Sequence, residues 1–373
     1  MLSGAATDQP RALPLTFFDL VFWEVPPVQR LFFYDNANLL DVPDFQASEL
    51  PRFKKSLAAV LHHFYPLAGR LTCELAEGVA PEIAFSDGDS VRLTVAVSVD
   101  DFHDLAGDHA RDTARLRPLL PPLVQHGGGG SASQDVFAVQ ITVFLAAGIC
   151  VGTTLHHAVA DGSSYVHFMK TWAAIHRSAD PECRNVLAPN SAPLFDRSVV
   201  RDDSGLREAF ISEIVAADDR SLGDWDLSRR PGVVLATFRF TEKQLGSLGR
   251  HVESETSARW HAAPRGPGSC SGGSAASTSS DAYFGFVTGC KPRASPPIPA
   301  NYFGNCLGLC RVEAATKQGG GGLTATAASA AIWRVIEGLA EEGSAFRDAR
   351  ASENAISGAT PSASSHVSLP ANG

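Results

Sequence analysis

The chain has 373 residues, 44% of them hydrophobic, so two globular domains are expected rather than a single hydrophobic core. The formal charge of −9 argues against a nucleic-acid partner, because such a partner requires a broad cationic face. The seven cysteines are scattered and odd in number, which favours free thiols over a disulfide framework.

Targeting, membrane and metal signals are weak. Residues 1–14 lack the charged and apolar segments of a signal peptide, and no stretch reaches the ~18 apolar residues of a membrane span. Three residues separate Cys306 from Cys310, but no second pair or nearby histidine completes a zinc site. We therefore expect a soluble, cytoplasmic monomer with no membrane partner and no metal.

The first third of the chain predicts several strands and one long helix. Residues 31–34 predict a buried strand, and residues 44–65 predict a helix, because apolar residues recur there at helical spacing up to a proline. Further strands are expected at 83–85 and 93–99. The polar, proline-rich stretch that follows, up to Gly130, is expected to be a surface loop.

The strongest strand signal covers residues 137–155, where apolar residues alternate and a turn is expected near Gly148. This pattern predicts two adjacent antiparallel strands. The second strand ends at the sequence HHAVADG, residues 156–162, and residues 163–175 predict a helix capped by Ser163 or Ser164. One face of this helix is expected to comprise Val166, Met169, Trp172 and Ala173.

The second half of the chain is less regular. A strand at 233–240 and a helix at 241–252 with a threonine cap are expected. Residues 254–281 contain no Val, Ile, Leu, Phe or Met and cannot supply a core element. A short strand at 283–288 and a helix at 324–341 follow. The predicted organisation is an N-terminal domain over 1–176, a linker or crossover over 177–230, a C-terminal domain over 231–343 and a disordered tail over 344–373.

Two histidines are followed by an aspartate four residues later. His176 and Asp180 lie at the end of a polar helix beside a proline, which predicts a solvated surface pair. His157 and Asp161 instead lie between a buried strand and a helix, with small residues between them. A neutral imidazole can accept a proton from a hydroxyl that attacks a carbonyl, so His157 is the candidate general base. A core histidine with a purely structural role is the alternative.

Asp161 is too close in the sequence to His157 to be assumed a relay partner. We assign it a structural role, in which it holds the loop through charge-assisted bonds to a cation elsewhere. Rival chemistries have less support, because Cys150 alternates into the core and no Gly-x-Ser-x-Gly elbow is present. The glycine runs at 127–130 and 319–322 lack the neighbouring residues of a phosphate-binding loop.

The sequence HHAVADG after a long strand resembles the active-site motif of the plant BAHD acyltransferases. Other blocks resemble the branch of that family that malonylates anthocyanins and other phenolic glucosides. They are LTFFD at 15–19, RLFFY at 30–34, FYPLAGRL at 64–71, SSYVHFMK at 163–170 and YFGNC at 302–306. The likeness extends from about residue 13 to residue 340 and so covers most of the chain.

The resemblance implies an α/β fold of two chloramphenicol-acetyltransferase-like domains, joined by a long crossover and separated by a channel. It implies that acyl-CoA, here malonyl-CoA, is a co-substrate and that no cofactor is permanently bound. The acceptor would be a hydroxyl of a phenolic or flavonoid glucoside, with His157 as general base, Asp161 as the structural acid and no acyl-enzyme. The residues that would line the CoA side or the domain interface are Lys291, Arg293, Tyr302 and Asn305.

The sequence departs from the family pattern in three places. Residues 254–281 replace a Ser/Thr-rich apolar helix, the terminal Asp-Phe-Gly-Trp-Gly motif is absent, and the usual Asp-x-Arg-x-Arg reads GCKPR at 289–293. We therefore expect an incomplete second domain, as a shifted reading frame or a mis-spliced transcript would produce. The alternative function is a non-catalytic or defective paralogue that cannot bind CoA productively. A bacterial-type acetyltransferase or peptide-condensation domain, which shares the doubled histidine, is a further hypothesis.

Overall fold

The structure is a computed structural model, and it describes residues 12–35, 42–74, 79–86, 88–127, 133–178, 191–216, 234–235, 237, 239–255 and 281–315. Two compact units divide the chain: the first comprises Met1–Phe238 with Asn301–Asn305, and the second comprises Arg239–Ala300 with Cys306–Gly373. The domain, linker and tail boundaries drawn from the sequence stay predictions. The helix predicted at 324–341, the tail and most of the low-complexity stretch lie outside the described residues.

Two β-sheets and a short strand pair are described in the first unit. Its strands are β1 (Ala12–Pro14), β2 (Val28–Asp35), β3 (Arg70–Glu74), β4 (Val79–Ala84), β5 (Arg92–Ser98), β6 (Arg111–Asp112), β7 (Gln125–His126), β8 (Ser133–Asp135), β9 (Phe137–Phe144), β10 (Gly148–Leu155) and β11 (Val234–Leu235). One sheet has the order β1-β4-β3-β8-β7 and the other β2-β10-β9-β5, while β11 pairs with β6. The pairing of β5 with β9 is parallel, and the other pairings are antiparallel.

Helices pack on both faces of the four-stranded sheet and fill connections between strands. They are α1 (Phe17–Leu20), α2 (Val42–Asp44), α3 (Leu50–His63), α4 (Phe102–Ala106), α5 (Thr113–Leu116), α6 (Gly162–Arg177) and α7 (Leu206–Ala216). The second unit contains α8 (Glu242–Glu255) and the antiparallel strands β12 (Asp281–Gly289) and β13 (Leu307–Ala315). Within the described ranges, no helix has the length and apolar character needed to cross a membrane.

The hairpin of β9 and β10 confirms the antiparallel pair predicted over residues 137–155, with its turn at 145–147. Every residue of β9 is buried. One face of β9 packs into the main hydrophobic core, and on the other face Gln140 donates a hydrogen bond to the carbonyl of Pro118 at 2.7 Å. Because β10 continues directly into the HHAVADG sequence, both histidines follow the end of a strand that is paired on both sides, with β2 and β9.

The main core lies between this sheet and helices α3 and α6. The Phe64 ring packs edge-on against Phe168, and Trp172 packs edge-on against Phe53. The Trp172 indole nitrogen donates a hydrogen bond to Ser56 Oγ at 3.0 Å, so the one polar atom of this ring is satisfied inside the core. These contacts join α6, which directly follows the histidine loop, to the rest of the first unit.

Of the four residues predicted along one face of α6, Trp172 is buried in the core and Met169 packs against it. Val166 and Met169 are only partly buried, and Ala173 is exposed. The buried face of α6 is rotated relative to the predicted one, because the large aromatic side chains of the helix pack against α3 and the sheet. The buried residues of α6 are Ser164, Tyr165, Phe168, Thr171, Trp172 and Ile175.

Two further expectations about burial need correction. The stretch predicted as a surface loop up to Gly130 contains α4 and α5, whose buried side chains pack against Phe144 and Cys150. The apolar content there was too low to reveal helices this short, which Asp101 and Asp112 cap. The strand predicted as buried at 31–34 is the edge strand β2, so Tyr34 is 51% exposed.

The prediction that His176 is a solvated surface residue is also wrong. Its ring lies 4.4 Å from the Phe53 ring, measured between centroids, and its Nδ1 lies 3.0 Å from Ser56 Oγ. Burial lowers the pKa of His176, and the charge of Arg52 lowers it further. The residue therefore helps α6 pack on α3, whereas Asp180 lies outside the described residues.

Candidate active site

The first histidine of the doubled pair has a structural role. His156 is 3% exposed, and its Nδ1 accepts a hydrogen bond from the backbone N–H of Ala158 at 3.2 Å. Burial, with a smaller contribution from the charge of His157, lowers the pKa of His156 to about 4. A proton on Nδ1 would break the bond to Ala158, so the neutral ring caps the short 3₁₀ turn His157–Val159.

The second histidine presents a different environment. The ring of His157 is only partly buried and stacks on Phe22, with 4.0 Å between centroids and 8° between planes. Its Nδ1 is buried without a hydrogen-bond partner, while no described residue bonds to its Nε2, which stays accessible. The stack fixes the plane of the ring, so the orientation of the open nitrogen is set before any substrate arrives.

The electrostatics of His157 favour a neutral ring. Burial lowers the pKa of His157 below its ordinary value of 6.5, and the positive charge of Arg30 acts in the same direction. The carbonyl of His157 itself, the Asn305 side chain and the charge of Asp161 oppose this shift in pKa without reversing it. At neutral pH the ring is therefore uncharged, with one nitrogen that can accept a proton.

Asp161 holds the loop by capping α6. Its Oδ1 accepts hydrogen bonds from the backbone N–H of Ser164 and the hydroxyl of Ser163, both at 2.8 Å. The N-cap is therefore Asp161 and neither of the predicted serines. In the parts of the chain that the structure describes, no cation is bonded to Asp161. Asp161 fulfils its structural role by bonding to the N-terminus of α6 instead.

Asn305 links the histidine loop to Asp19, in the LTFFD sequence at 15–19. Its Nδ2 donates to the carbonyl of His157 at 2.9 Å and to Asp19 Oδ1 at 3.0 Å, which uses both hydrogens of the amide. Asp19 is fully buried and also accepts from the backbone N–H of Asn305 and from Thr16. Oδ1 of Asn305 is left buried without a partner, as is Nδ1 of His157.

Arg197 holds the Tyr302–Asn305 stretch from the other side. Its Nη1 donates to the hydroxyl of Tyr302 at 2.8 Å and to the carbonyl of Phe303 at 2.6 Å, and the guanidinium lies over the Tyr302 ring. The backbone of Gly304 passes so close that an added Cβ would lie 2.9 Å from the Tyr302 ring, and closer still to Nη1 of Arg197. Gly304 also exchanges hydrogen bonds with Ser164 Oγ at the start of α6.

The four residues carried over as CoA-binding fall into both units. Tyr302 and Asn305 lie in the first unit, beside the histidine loop, with their bonds directed into the protein. Lys291 and Arg293 lie in the second unit, on the 3₁₀ turn Lys291–Arg293, where Arg293 donates to Thr288 Oγ1 at 3.2 Å. CoA binding by all four residues stays a prediction.

Sequence reasoning did not single out Asp19, Arg197 or Arg30, although Asp19 and Arg30 stand in quoted blocks. Each is a charged residue inside an apolar stretch, LTFFDL, PLFDR and VQRLFF respectively. A charge at such a position is costly unless it is paired or used, and this is the signal that points to them. Their partners come from distant segments and cannot be found from local pattern.

Comparison with solved structures shows the fold. Vinorine synthase superposes with a TM-score of 0.57 over 96% of this chain and 78% of its own, at 17% identity. TRI101 of F. sporotrichioides, solved with coenzyme A and T-2, has a TM-score of 0.53 over 94% of this chain and 77% of its own, at 13% identity. The fold is therefore the two-domain, chloramphenicol-acetyltransferase-like α/β fold that the sequence predicts.

Sequence comparisons identify the family. The model described as the Transferase family matches residues 3–261. The malonyl-coenzyme:anthocyanin 5-O-glucoside-6'''-O-malonyltransferase of Salvia splendens is 31% identical over 79% of this chain and 64% of its own length. Phenolic glucoside malonyltransferase 1 of Arabidopsis thaliana is 30% identical over 83% of this chain and 69% of its own length. The chain belongs to the Transferase family, the BAHD acyltransferases, and spans about two thirds of the length of these relatives.

Proposed function

We propose that this protein transfers an acyl group, malonyl from malonyl-CoA, to a hydroxyl of a phenolic or flavonoid glucoside, with His157 as the general base. The observation that carries the proposal is the His157 ring itself. It is neutral at neutral pH, held flat against Phe22, and open at Nε2. Family membership and the names of the malonyltransferase relatives support the choice of substrates.

The proposed chemistry is a direct transfer in which atoms and charges balance. Nε2 of His157 accepts the proton of the acceptor hydroxyl as its oxygen attacks the thioester carbonyl of acyl-CoA. The tetrahedral intermediate then expels the CoA thiolate, which takes the proton from the imidazolium. The products are an ester and free CoA, and no bond forms between the acyl group and the protein.

The surrounding residues position the base and do not react. Asp161 fixes the loop through the cap of α6, and Asn305 holds the backbone carbonyl of His157. With Nε2 accepting, the ring hydrogen must lie on Nδ1, next to the carbonyl of His157 and to Asn305. Asn305 Oδ1 has no other partner, so this oxygen is available to the imidazolium that forms during the reaction.

The test is an assay of free thiol released from malonyl-CoA in the presence of a phenolic glucoside. We expect turnover by the purified protein and its reduction by about 10²- to 10⁴-fold in His157→Ala, because the proton acceptor is lost. His62→Ala, at an exposed histidine on α3, is the matched control and should retain full activity. Thermal unfolding of each variant establishes that the protein is folded.

Two results would count against the proposal. A folded wild-type protein that releases no thiol would favour the alternative of a non-catalytic paralogue. A His157→Ala variant that keeps most of the rate would leave the transfer intact and remove His157 from the role of base.

A further inference from the structure

We propose that Arg30 binds the free carboxylate of a dicarboxylic acyl donor next to His157, and so selects malonyl-CoA over donors without that charge. This inference rests on the proposed function, because it concerns the same site and the same reaction. It assigns the residue that recognises the acid end of the donor.

The first observation is the position of Arg30 in the sheet. On β2 it pairs with Thr153 of β10, two residues before β10 ends at Leu155 and the chain enters the histidine loop. Residues directly opposite each other in an antiparallel pair project to the same face of the sheet. Arg30 therefore shares its face with Thr153, near the end of the strand that delivers His157.

The second observation is the support of the guanidinium. Its central carbon lies 5.2 Å from the centroid of the Tyr165 ring, close enough for a cation–π contact. The Tyr165 hydroxyl lies 2.6 Å from Thr153 Oγ1, and Tyr165 is buried in the first turns of α6. The side chain of Arg30 is thus held by β10 and α6, the two elements that flank the HHAVADG loop.

The third observation is the absence of an acidic partner. Nε of Arg30 is buried and unbonded, and within the described ranges no carboxylate forms an ion pair with this residue. By contrast, Arg52 pairs with Glu49 and Arg115 with Asp100. A half-buried guanidinium without an acidic partner is unfavourable, and a carboxylate supplies the acceptors that its planar fork requires.

The fourth observation is the proximity of this charge to the reacting centre. The positive charge of Arg30 adds to the lowering of the His157 pKa that burial causes, and it opposes the rise that burial causes in the pKa of Tyr165. In a malonyl thioester a single methylene separates the carboxylate from the carbonyl that is attacked. A cation that anchors this carboxylate must therefore lie beside the general base, whereas the phosphates of CoA lie many bonds away.

Arg197, another partly buried arginine of the first unit, is less suited to this role. Arg197 also has unbonded donors, Nε and Nη2, but its Nη1 is used by Tyr302 and Phe303. The charge of Asp19 already acts on it. Arg30 is the cation that acts on His157 among the residues that the structure describes.

The test compares two donors in two variants of Arg30 and one control variant. We expect Arg30→Met to lower the ratio of kcat/KM for malonyl-CoA to kcat/KM for propionyl-CoA by roughly 10- to 100-fold, the worth of a hydrogen bond to a charged group. Arg30→Lys keeps the charge but loses the fork, so it should recover part of the ratio. Arg52→Met, at an exposed arginine on α3, is the control and should leave the ratio unchanged.

The outcomes separate this inference from the proposed function. If Arg30→Met reduces both donors equally, or neither, Arg30 does not read the carboxylate and the inference is overturned while acyl transfer stands. If the wild type turns over neither donor, acyl transfer fails, and the ratio of the dissociation constants of the two CoA esters is measured instead. A ratio that differs between wild type and Arg30→Met supports the inference, and an equal ratio or a lack of binding overturns it.

Discussion

Asp19 accepts two hydrogen bonds from Asn305, one from the backbone N–H at 2.9 Å and one from the side-chain amide at 3.0 Å, although the two residues lie 286 positions apart in the chain. The same amide donates its other hydrogen to the carbonyl of His157. The carboxylate of Asp19 therefore fixes Asn305, and Asn305 in turn holds the histidine loop. Each of the contacts lies inside the first compact unit.

Replacing Asn305 with Ala should impair both stability and catalysis. The carbonyl of His157 and one oxygen of Asp19 each lose a donor in a buried site, which costs about 1–3 kcal/mol. A small displacement of the His157 ring should also lower kcat by roughly 10²-fold, because general-base catalysis depends on the position of the nitrogen. Urea unfolding and malonyl-CoA turnover measure the two effects.

The matched control for this variant is Asn301→Ala. Asn301 belongs to the same segment and donates a comparable hydrogen bond, 2.7 Å to the carbonyl of Ala192, at an exposed position. Its loss should cost about 1 kcal/mol or less and leave kcat close to the wild-type value. Equal values of kcat for the two variants would contradict a positioning role for Asn305.

A methyl group at Gly304 should destabilise the protein, whereas the same change at Gly162 should not. At Gly304 the new Cβ overlaps Arg197 and Tyr302, and the backbone there is fixed by Ser164, so we expect a cost of about 1–3 kcal/mol. At Gly162 nothing lies within 4 Å of a built Cβ. Gly162→Ala should be neutral or stabilising by up to about 1 kcal/mol, because Ala restricts the unfolded chain. Equal unfolding free energies for the two variants would refute this account of the Arg197 contact.

The pH dependence of kcat/KM should report the lowered pKa of His157. Since protonation removes the accepting nitrogen, activity falls on the acid side, and the midpoint of this fall should lie below pH 6.5. Arg30→Met removes a charge that lowers the pKa of His157, so the midpoint of the acid limb should move to higher pH in that variant. A wild-type midpoint above pH 6.5 would show that burial does not govern this ring.

The stability of the protein should depend on pH through His156. Its pKa is about 4 in the folded protein and near 6.5 when unfolded, so the unfolded chain binds more protons between these values. The contribution of His156 to the free energy of unfolding is therefore fully present above pH 6.5. It is lost as the pH drops towards 4, by on the order of 3 kcal/mol. In His156→Asn the amide oxygen can still accept from Ala158 but does not titrate. Urea unfolding at pH 7 and pH 4.5 should show a smaller difference in that variant, and an unchanged difference would assign the titration elsewhere.

Much of the site's local architecture follows from the sequence. The alternation over 137–155 predicts the β9–β10 hairpin, and the small residues after it predict the loop and the start of α6, because such patterns report neighbours along the chain. The identity of His157 as the candidate base comes from the same local context. The short helices α4 and α5 escaped prediction, since their burial depends on packing against Phe144 and Cys150 of the sheet, which local pattern does not show.

Only the tertiary structure decided which distant groups meet at the loop. The sequence predicts that Asp161 bonds to a cation, but the described contacts make it a helix cap, and the buried carboxylate that binds Asn305 is Asp19. The pairing of β2 with β10 brings Arg30 to the face of Thr153 and Tyr165, and the approach of Gly304 leaves room for Arg197. Such contacts depend on strand register and chain crossing. The neighbouring sequence of a residue does not predict strand register or chain crossing. The local sequence therefore identifies His157 as the candidate base, but it does not predict the distant charges that act on its ring.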